Sequence, residues 1–432
     1  MRRISTFSRA WRVLLAAPFL ASAGAAERAD TPGPPTERAP VVILISLDGT
    51  RPADLNARDL PVLMGLADRG LRAQRLLPVL PTNTFPNHVT LVTGVEPERH
   101  GIVNNVFIDP ERGFFERDDI PSWIQVEPLW SLLERRGITS ASYHWVGSEG
   151  RWPGGRAPRY WMPFSKATPE FTKVEKILEW LSLPDPDARP RFVTAWFRGG
   201  DHSGHHHGPG HSRVQSDLRE QDVAIAALWN GLSERGLHAS TTLLFVSDHG
   251  MAAAPTHVDL TAMLKEGGLE FRALGIGGFT SVYLEDASPE QIERVTAAAR
   301  RADLFAEARI AAAETLPVDN PRFGDVIVIA PAGTAITHAG VSLEGFHGYV
   351  PQDPSMAGIF VAVGRGIPKG RIVPVLRSID VAPTVLALLG EEVPAWMQGR
   401  PLPELLTKPG KTAASDSAIL ASEKAVRERS RP

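Results

Sequence analysis

The sequence predicts an α/β protein: a doubly wound, mostly parallel sheet with helices on both faces and a small α+β insertion. Several short runs are continuously apolar and rich in β-branched residues, as in strands buried on both faces of a parallel sheet. Segments with helical periodicity lie between these runs, which favours alternating strands and helices. Glycine pairs interrupt this alternation within residues 262–335, so we expect the insertion there.

The elements follow in chain order. The first apolar run, residues 41–47, is the clearest strand, and runs at 192–197, 242–247 and 359–363 have the same character. Helical patterns fall at 60–69, 127–136, 170–181 and 216–235, and a last helix is expected at 379–389. Inside the insertion, a strand at 282–284 precedes a helix at 289–302.

The N-terminus has the pattern of a secretory signal peptide over residues 1–26. Four arginines within the first 12 residues precede an apolar stretch at 13–20 and then small residues before Glu27. The stretch is short for a membrane span, and an uncleaved N-terminal anchor is the alternative. Residues 27–39 form a Pro-rich leader, 40–404 one large domain and 405–432 a polar tail. We therefore expect an exported, periplasmic or secreted protein without a stable membrane span.

Composition excludes several classes of protein. The formal net charge is −3, so no nucleic-acid-binding surface is evident. The chain has no cysteine, which excludes disulfides, Cys-ligated zinc and a Cys nucleophile.

Polar residues stand where the predicted strands end. Asp48 follows the first strand, Asp248 and His249 follow the strand at 242–247, and Asp201 comes shortly after the strand at 192–197. Open α/β sheets bind ligands at the carboxyl ends of their strands. Carboxylates and imidazoles converging there suit Zn²⁺.

Residues 201–211 read DHSGHHHGPGH and hold five of the 13 histidines. One interpretation is a flexible metal scavenger, and the other is an ordered loop with one or two ligands. The glycines and the proline favour the ordered loop. Composition alone does not select the ligand among His202, His205, His206, His207 and His211.

Residues 81–88 read PTNTFPNH. Thr84 is either a helix N-cap or a nucleophile at a helix N-terminus, where backbone N–H groups and the helix dipole favour a phosphoryl group. A threonine hydroxyl needs activation for such a role, and a bound metal supplies it.

Together these motifs resemble the ectonucleotide pyrophosphatase/phosphodiesterase family of the alkaline phosphatase superfamily. The matching stretches are LDGTRPADL at 47–55, TNTFPNHVTLVTGVEPERHGIVNN at 82–105, DHSGHHHGP at 201–209, SDHGM at 247–251 and GFHGY at 345–349. The resemblance implies an alkaline-phosphatase-like fold, a phosphodiesterase catalytic domain over 40–404, and a bacterial secreted member.

The resemblance also implies the site. The family pattern D-x-x-G-H-x-x-G-P selects His205 and leaves His202, His206 and His207 surplus. One zinc ion is then held by Asp201, His205 and His347, and a second by Asp48, Asp248 and His249. Thr84 is the implied nucleophile, and Asn105 with the Thr84 backbone N–H binds a phosphate oxygen.

By the same resemblance, Phe85 and Phe164 stack on a nucleotide base, with Tyr160 as a rival to Phe164. The expected reaction is two-zinc cleavage of phosphodiester or pyrophosphate bonds of small-molecule substrates, giving nucleoside 5′-monophosphates through a phospho-threonine intermediate. Phospholipid or glycerophosphodiester hydrolysis and phosphonoacetate-type hydrolysis are the alternatives. A catalytically silent metal-binding protein is the alternative from a different class.

Overall fold

The computed structural model describes residues 38–338 and 340–406. The predicted signal peptide and nearly all of the predicted leader and polar tail lie outside the described residues. Within the described ranges, no helix is both long and apolar enough to cross a membrane.

The strands belong to one large sheet and several small ones. In chain order they are β1 (Val41–Leu47), β2 (Leu71–Leu77), β3 (Ile108–Asp109), β4 (Gly113–Phe114), β5 (Ser140–Tyr143), β6 (Tyr160–Met162), β7 (Phe192–Phe197), β8 (Thr241–Val246), β9 (Ala252–Ala253), β10 (Thr256–Asp259), β11 (Phe271–Leu274), β12 (Phe279–Leu284), β13 (Phe305–Ala308), β14 (Val326–Ile329), β15 (Thr334–Thr337), β16 (Gly345–Phe346), β17 (Phe360–Gly364) and β18 (Arg371–Arg377).

The α-helices connect these strands. They are α1 (Pro61–Arg69), α2 (Thr84–Thr93), α3 (Pro97–His100), α4 (Leu129–Arg135), α5 (Glu170–Leu181), α6 (Asp201–His207), α7 (Ser212–Glu234), α8 (Leu260–Glu266), α9 (Pro289–Arg300), α10 (Arg309–Ala312), α11 (Val381–Leu389) and α12 (Pro403–Leu406).

The large sheet has eight strands in the order β18-β2-β17-β8-β1-β7-β5-β6. Its pairs are parallel except those of β17, which runs antiparallel to both β2 and β8. The predicted fold class, a mostly parallel doubly wound sheet, is therefore confirmed. The sequence interpretation of residues 359–363 as a further parallel strand is wrong in direction. The chain enters β17 beside the carboxyl end of β8, where Phe360 pairs with Val246, and an apolar run does not reveal direction.

The central strand β1 explains why both faces of the sheet are covered. Val42 and Leu44 belong to one hydrophobic core with side chains of α2, α4 and α11. Ile43, Ile45 and Leu47 belong to another core with side chains of α1, α5 and α7. Successive side chains of a strand point to opposite faces, so this apolar run packs against two helical layers.

A second sheet lies within the predicted insertion. Strands β11-β12-β14-β13 form a four-stranded antiparallel sheet, and α9 packs on β13 and β14. The strand predicted at 282–284 is the end of β12, and the helix predicted at 289–302 contains α9. β9, which precedes this sheet in the chain, pairs with β16, which follows it.

Replacing a buried isoleucine of β1 should destabilise the fold. Ile43 is 0% exposed, and Ile43→Ala removes core contacts and leaves a cavity, so we expect the free energy of unfolding to fall by about 2–5 kcal/mol. The matched control is Ile372→Ala in β18, where the side chain is 53% exposed. Urea denaturation of both variants checks the difference, and equal losses would contradict this description of the core.

Candidate functional site

Three adjacent parallel strands, β8, β1 and β7, deliver carboxylates to one end of the sheet. Asp48 follows β1, Asp248 follows β8, and Asp201 is the first residue of α6 after β7. The backbone N–H groups of Gly200 and Asp201 donate to the carbonyl of Asp48, at 2.8 and 3.2 Å. The Gly49 N–H donates to Asp248 Oδ1 at 3.2 Å. These bonds fix the three loops relative to one another.

Only glycine fits at residue 199 in the β7–α6 turn. Gly199 has φ +58°, and a Cβ there would lie 1.7 Å from the Asp48 carbonyl oxygen. The absence of a side chain lets this turn approach the end of β1 and brings Asp201 beside Asp48.

Two overlapping groups of side chains could each hold a metal ion. The ligand atoms of Asp201, His205 and His347 lie within 4.8 Å of one another, and so do those of Asp48, Asp201 and His249. Asp248 lies beside the second group, with its Oδ2 3.2 Å from His249 Nε2. The rings of His249 and His347 stack with centroids 3.8 Å apart. The structure thus brings all six predicted ligands together, and Asp201 is close to both halves.

The three histidines present the same nitrogen to this cluster. His205 Nδ1 donates to the Gly345 carbonyl at 2.7 Å, His249 Nδ1 to the Gly250 carbonyl at 2.8 Å, and His347 Nδ1 to Asn83 Oδ1 at 2.8 Å. Because these oxygens only accept, each Nδ1 carries the hydrogen and each neutral ring keeps a lone pair on Nε2. Metal-binding histidines are oriented in this way by their outer hydrogen bonds.

Each carboxylate has one oxygen without a hydrogen bond. Among the described residues, the buried atoms Asp48 Oδ1, Asp201 Oδ1 and Asp248 Oδ2 find no hydrogen-bond partner. Burial, followed by the charges of Asp248 and Asp201, raises the pKa of Asp48 well above its usual range. Burial and the neighbouring rings of His249 and His205 lower the pKa of His347 well below its usual range. Carboxylate oxygens without donors and imidazole Nε2 atoms are ligands that fit a divalent cation.

Thr84 stands beside this cluster at the start of α2. It is 8% exposed, and its Oγ1 lies 3.2 Å from His249 Nε2. Asn83 occupies the N-cap position, so Thr84 is the first helical residue. The hydroxyl therefore lies at the positive end of the helix dipole, next to the candidate metal ligands.

Asn105 reaches the same helix end. Its Oδ1 accepts a hydrogen bond from the Phe85 N–H at 2.8 Å. The amide Nδ2 of Asn105 is then the end that carries donors for a substrate oxygen.

Sequence reasoning missed a pair of asparagines that connects Asn105 with His347. Asn83 Oδ1 accepts from His347, and Asn83 Nδ2 donates to Asn104 Oδ1 at 2.7 Å. Asn104 Oδ1 also accepts from the Asn105 N–H at 2.8 Å. Both residues lie inside the stretches that carry the family resemblance, but nothing in those stretches distinguishes them from ordinary turn residues.

His88 and Trp196 were also missed. His88 Nδ1 donates to the Thr84 carbonyl at 2.9 Å and lies 3.4 Å from Asp248 Oδ2. The spacing of four from Thr84 is a signal that could have identified His88. Trp196 Nε1 donates to Asp48 Oδ2 at 2.9 Å, so this indole orients a candidate ligand.

The predicted substrate aromatics occupy different surroundings. Phe85 is half-buried, and the Arg117 guanidinium lies 5.2 Å from its ring centroid. Phe164 is 46% exposed and stacks on Trp196 with centroids 4.9 Å apart. Tyr160 stacks on Trp180 and packs against the hydrophobic core of α1, α5 and α7.

Arg117 is a further residue near the site that the sequence did not single out. Besides covering Phe85, its Nε donates to the Asn105 carbonyl at 2.9 Å. A fixed positive charge therefore lies next to the residue expected to bind phosphate. No motif marks this arginine, because it lies in a polar loop after β4.

Comparison with known proteins gives a consistent result. The family described as type I phosphodiesterase / nucleotide pyrophosphatase matches residues 42–350. An uncharacterized pyrophosphatase/phosphodiesterase of Schizosaccharomyces pombe is 33% identical over 347 residues, which cover 75% of this chain and 71% of that protein. Ectonucleotide pyrophosphatase/phosphodiesterase family member 1 of Mus musculus is 35% identical over 233 residues, covering 52% of this chain. That alignment spans 26% of the length of the mouse protein.

Solved structures agree in fold. Human ectonucleotide pyrophosphatase/phosphodiesterase 5 superposes with a TM-score of 0.76 at 26% identity, covering 84% of this chain and 97% of that chain. An inactive form of the murine protein in complex with AMP gives a TM-score of 0.75 at 24% identity, covering 82% and 96%.

Proposed function

The chain belongs to the type I phosphodiesterase / nucleotide pyrophosphatase family, and on this premise we propose that it is a two-zinc hydrolase of nucleotide phosphodiester or pyrophosphate bonds. Its products would be nucleoside 5′-monophosphates, formed through a phospho-threonine intermediate. The observation that carries the proposal is the common orientation of the three histidines, whose Nε2 atoms face carboxylate oxygens that lack donors.

In this proposal Asp201, His205 and His347 hold one zinc ion, and Asp48, Asp248 and His249 hold the other. Bound there, the two ions would supply Lewis-acid activation of a hydroxyl and stabilisation of a leaving oxygen. The three side chains of each set leave coordination positions for the substrate.

The chain's own residues perform the transfer. Thr84 Oγ1 attacks phosphorus, so that the Oγ1–P bond forms and the bond from phosphorus to the leaving oxygen breaks. The proton of the Thr84 hydroxyl passes to the leaving oxygen, which departs as an alcohol or a phosphate. Asn105 Nδ2 and the Thr84 backbone N–H donate to the non-bridging oxygens, where negative charge develops. Water then cleaves the Oγ1–P bond, releases the monophosphate and restores the Thr84 hydroxyl.

A nucleotide substrate is proposed because Phe85 lies in the first turn of α2 and Phe164 stacks on Trp196, the indole that donates to Asp48. The packing of Tyr160 in the hydrophobic core favours Phe164 over Tyr160 as the second stacking partner. The N-terminal sequence supports export, which is proposed on that ground alone.

Removal of metal should abolish activity. We expect dialysis against EDTA to stop hydrolysis of the p-nitrophenyl ester of thymidine 5′-monophosphate, because Thr84 then loses its activation, and added Zn²⁺ to restore it. Zinc content measured by mass spectrometry should rise in parallel with the rate. Full activity in a metal-free sample would contradict the proposal.

Thr84→Ala should remove the nucleophile and leave the metal ligands in place. We expect the rate to fall by at least roughly 1,000-fold, with zinc content unchanged. Thr84→Ser keeps a hydroxyl and is the matched control, which should retain measurable turnover. A Thr84→Ala enzyme as fast as wild type would exclude the phospho-threonine intermediate.

The pocket aromatics should determine the choice of substrate. Base stacking contributes about 1–3 kcal/mol, so Phe164→Ala should lower kcat/KM for the thymidine ester about 5- to 150-fold. Turnover of p-nitrophenyl phosphorylcholine, which has no base, should change much less. Phe305→Ala in β13 is the matched control, because Phe305 is also 46% exposed.

The same assays separate the alternatives. Wild-type preference for the thymidine ester over p-nitrophenyl phosphate and p-nitrophenyl phosphorylcholine supports a nucleotide phosphodiesterase. Preference for the choline ester would instead indicate that the substrate is a lipid head group.

A further inference from the structure

The helix that carries Asp201 and His205 also carries histidines on its outer side. In α6, His202 and His206 are exposed, whereas Asp201 and His205 face the candidate metal cluster. Residues four apart in a helix lie on the same face. The His202 and His206 rings accordingly meet with centroids 4.6 Å apart and planes at 68°.

Two imidazoles at this spacing are a suitable pair of ligands for a transition metal. Histidines four residues apart on one helix face bind zinc in known metal motifs. Imidazole nitrogen suits Zn²⁺, Cu²⁺ and Ni²⁺, whereas Mg²⁺ and Ca²⁺ prefer oxygen ligands.

Charged groups of both signs surround His202. The carboxylates of Asp201 and Asp217 lie close enough to attract a cation, whereas His206 and Lys166 act in the opposite direction. Asp217 is held towards α6 because its Oδ2 accepts a hydrogen bond from Ser203 Oγ.

A neighbouring histidine pair lacks this capacity. The rings of His207 and His211 stack with centroids 4.9 Å apart. However, His211 Nδ1 accepts a hydrogen bond from the Arg213 N–H at 3.1 Å and thereby caps α7. Its lone pair is already used, and the Nε2 of a neutral ring then carries the hydrogen. Metal binding by His211 would therefore have to break the cap.

We propose that His202 and His206 form a second, peripheral site for a divalent transition-metal ion, held by two imidazole nitrogens and completed by water. The site is separate from the cluster that faces the sheet and does not depend on the proposed function. An ion bridging one turn of α6 would also stabilise the short helix that presents Asp201 and His205.

The test counts zinc ions on the full-length protein. Wild type and His202→Asn/His206→Asn are stripped with EDTA, dialysed to equilibrium against the same saturating Zn²⁺ concentration and measured by mass spectrometry. We expect the double variant to bind one zinc ion per chain fewer. The candidate metal cluster is the same in both samples. The difference in zinc content between them therefore measures the peripheral site alone, however many ions the cluster binds.

His207→Asn/His211→Asn is the matched control and should bind as much zinc as wild type. The single variant His206→Asn should lose the same ion as the double variant, because one imidazole does not chelate. Circular dichroism verifies that each variant is folded. Equal zinc content in wild type and His202→Asn/His206→Asn, or an equal loss in the control, would overturn the proposal.

Discussion

The convergence of three carboxylates at one end of the large sheet is the constraint on which the candidate site depends. Asp48, Asp201 and Asp248 converge because β1, β7 and β8 are neighbours and their following loops are held together by backbone hydrogen bonds. Buried like charges this close are unfavourable unless a cation or a proton offsets them. His205, His249 and His347 present their Nε2 atoms to these carboxylates. One oxygen of each carboxylate accepts no hydrogen bond.

Backbone hydrogen bonds around His347 join segments that are far apart in the chain. His347 lies just after β16, on the path by which the chain returns from the antiparallel sheet. Its carbonyl accepts from the Gly278 N–H at 2.8 Å, and the Gly348 N–H donates to the Thr82 carbonyl at 3.2 Å. The inserted sheet, the segment before α2 and the candidate ligand are thereby joined, so the insertion contributes to the geometry of the site.

Sequence patterns predict the strands and helices whose burial is visible in their own residues. The apolar run at β1 is continuous because both of its faces are buried, and its strand was placed correctly. By contrast, β2 and β18 contain arginines and were not predicted, because they lie towards the edge of the sheet. The direction of β17 depends on the end of the sheet at which the chain enters the strand. The apolar pattern of a strand predicts its burial but not its direction.

The residues of the candidate site also fall into those that local sequence predicts and those that only the tertiary structure reveals. Asp48, Asp201 and Asp248 could be proposed from their position after strands, and the family resemblance then selected His205 among five histidines. Asn83, Asn104 and Trp196 act through contacts between residues far apart in the chain, up to 264 positions for Asn83 and His347. Such roles follow from tertiary structure and leave no periodic or spacing signal.

The stacking of Phe164 on Trp196 has a consequence for how this enzyme could diverge. The face of the Trp196 indole packs against Phe164, and its Nε1 donates to Asp48 Oδ2. Under the proposed function, residue 164 therefore has two constraints at once, contact with the substrate and packing against the indole. Evolution of a different substrate preference would accordingly favour replacements that still cover the face of Trp196.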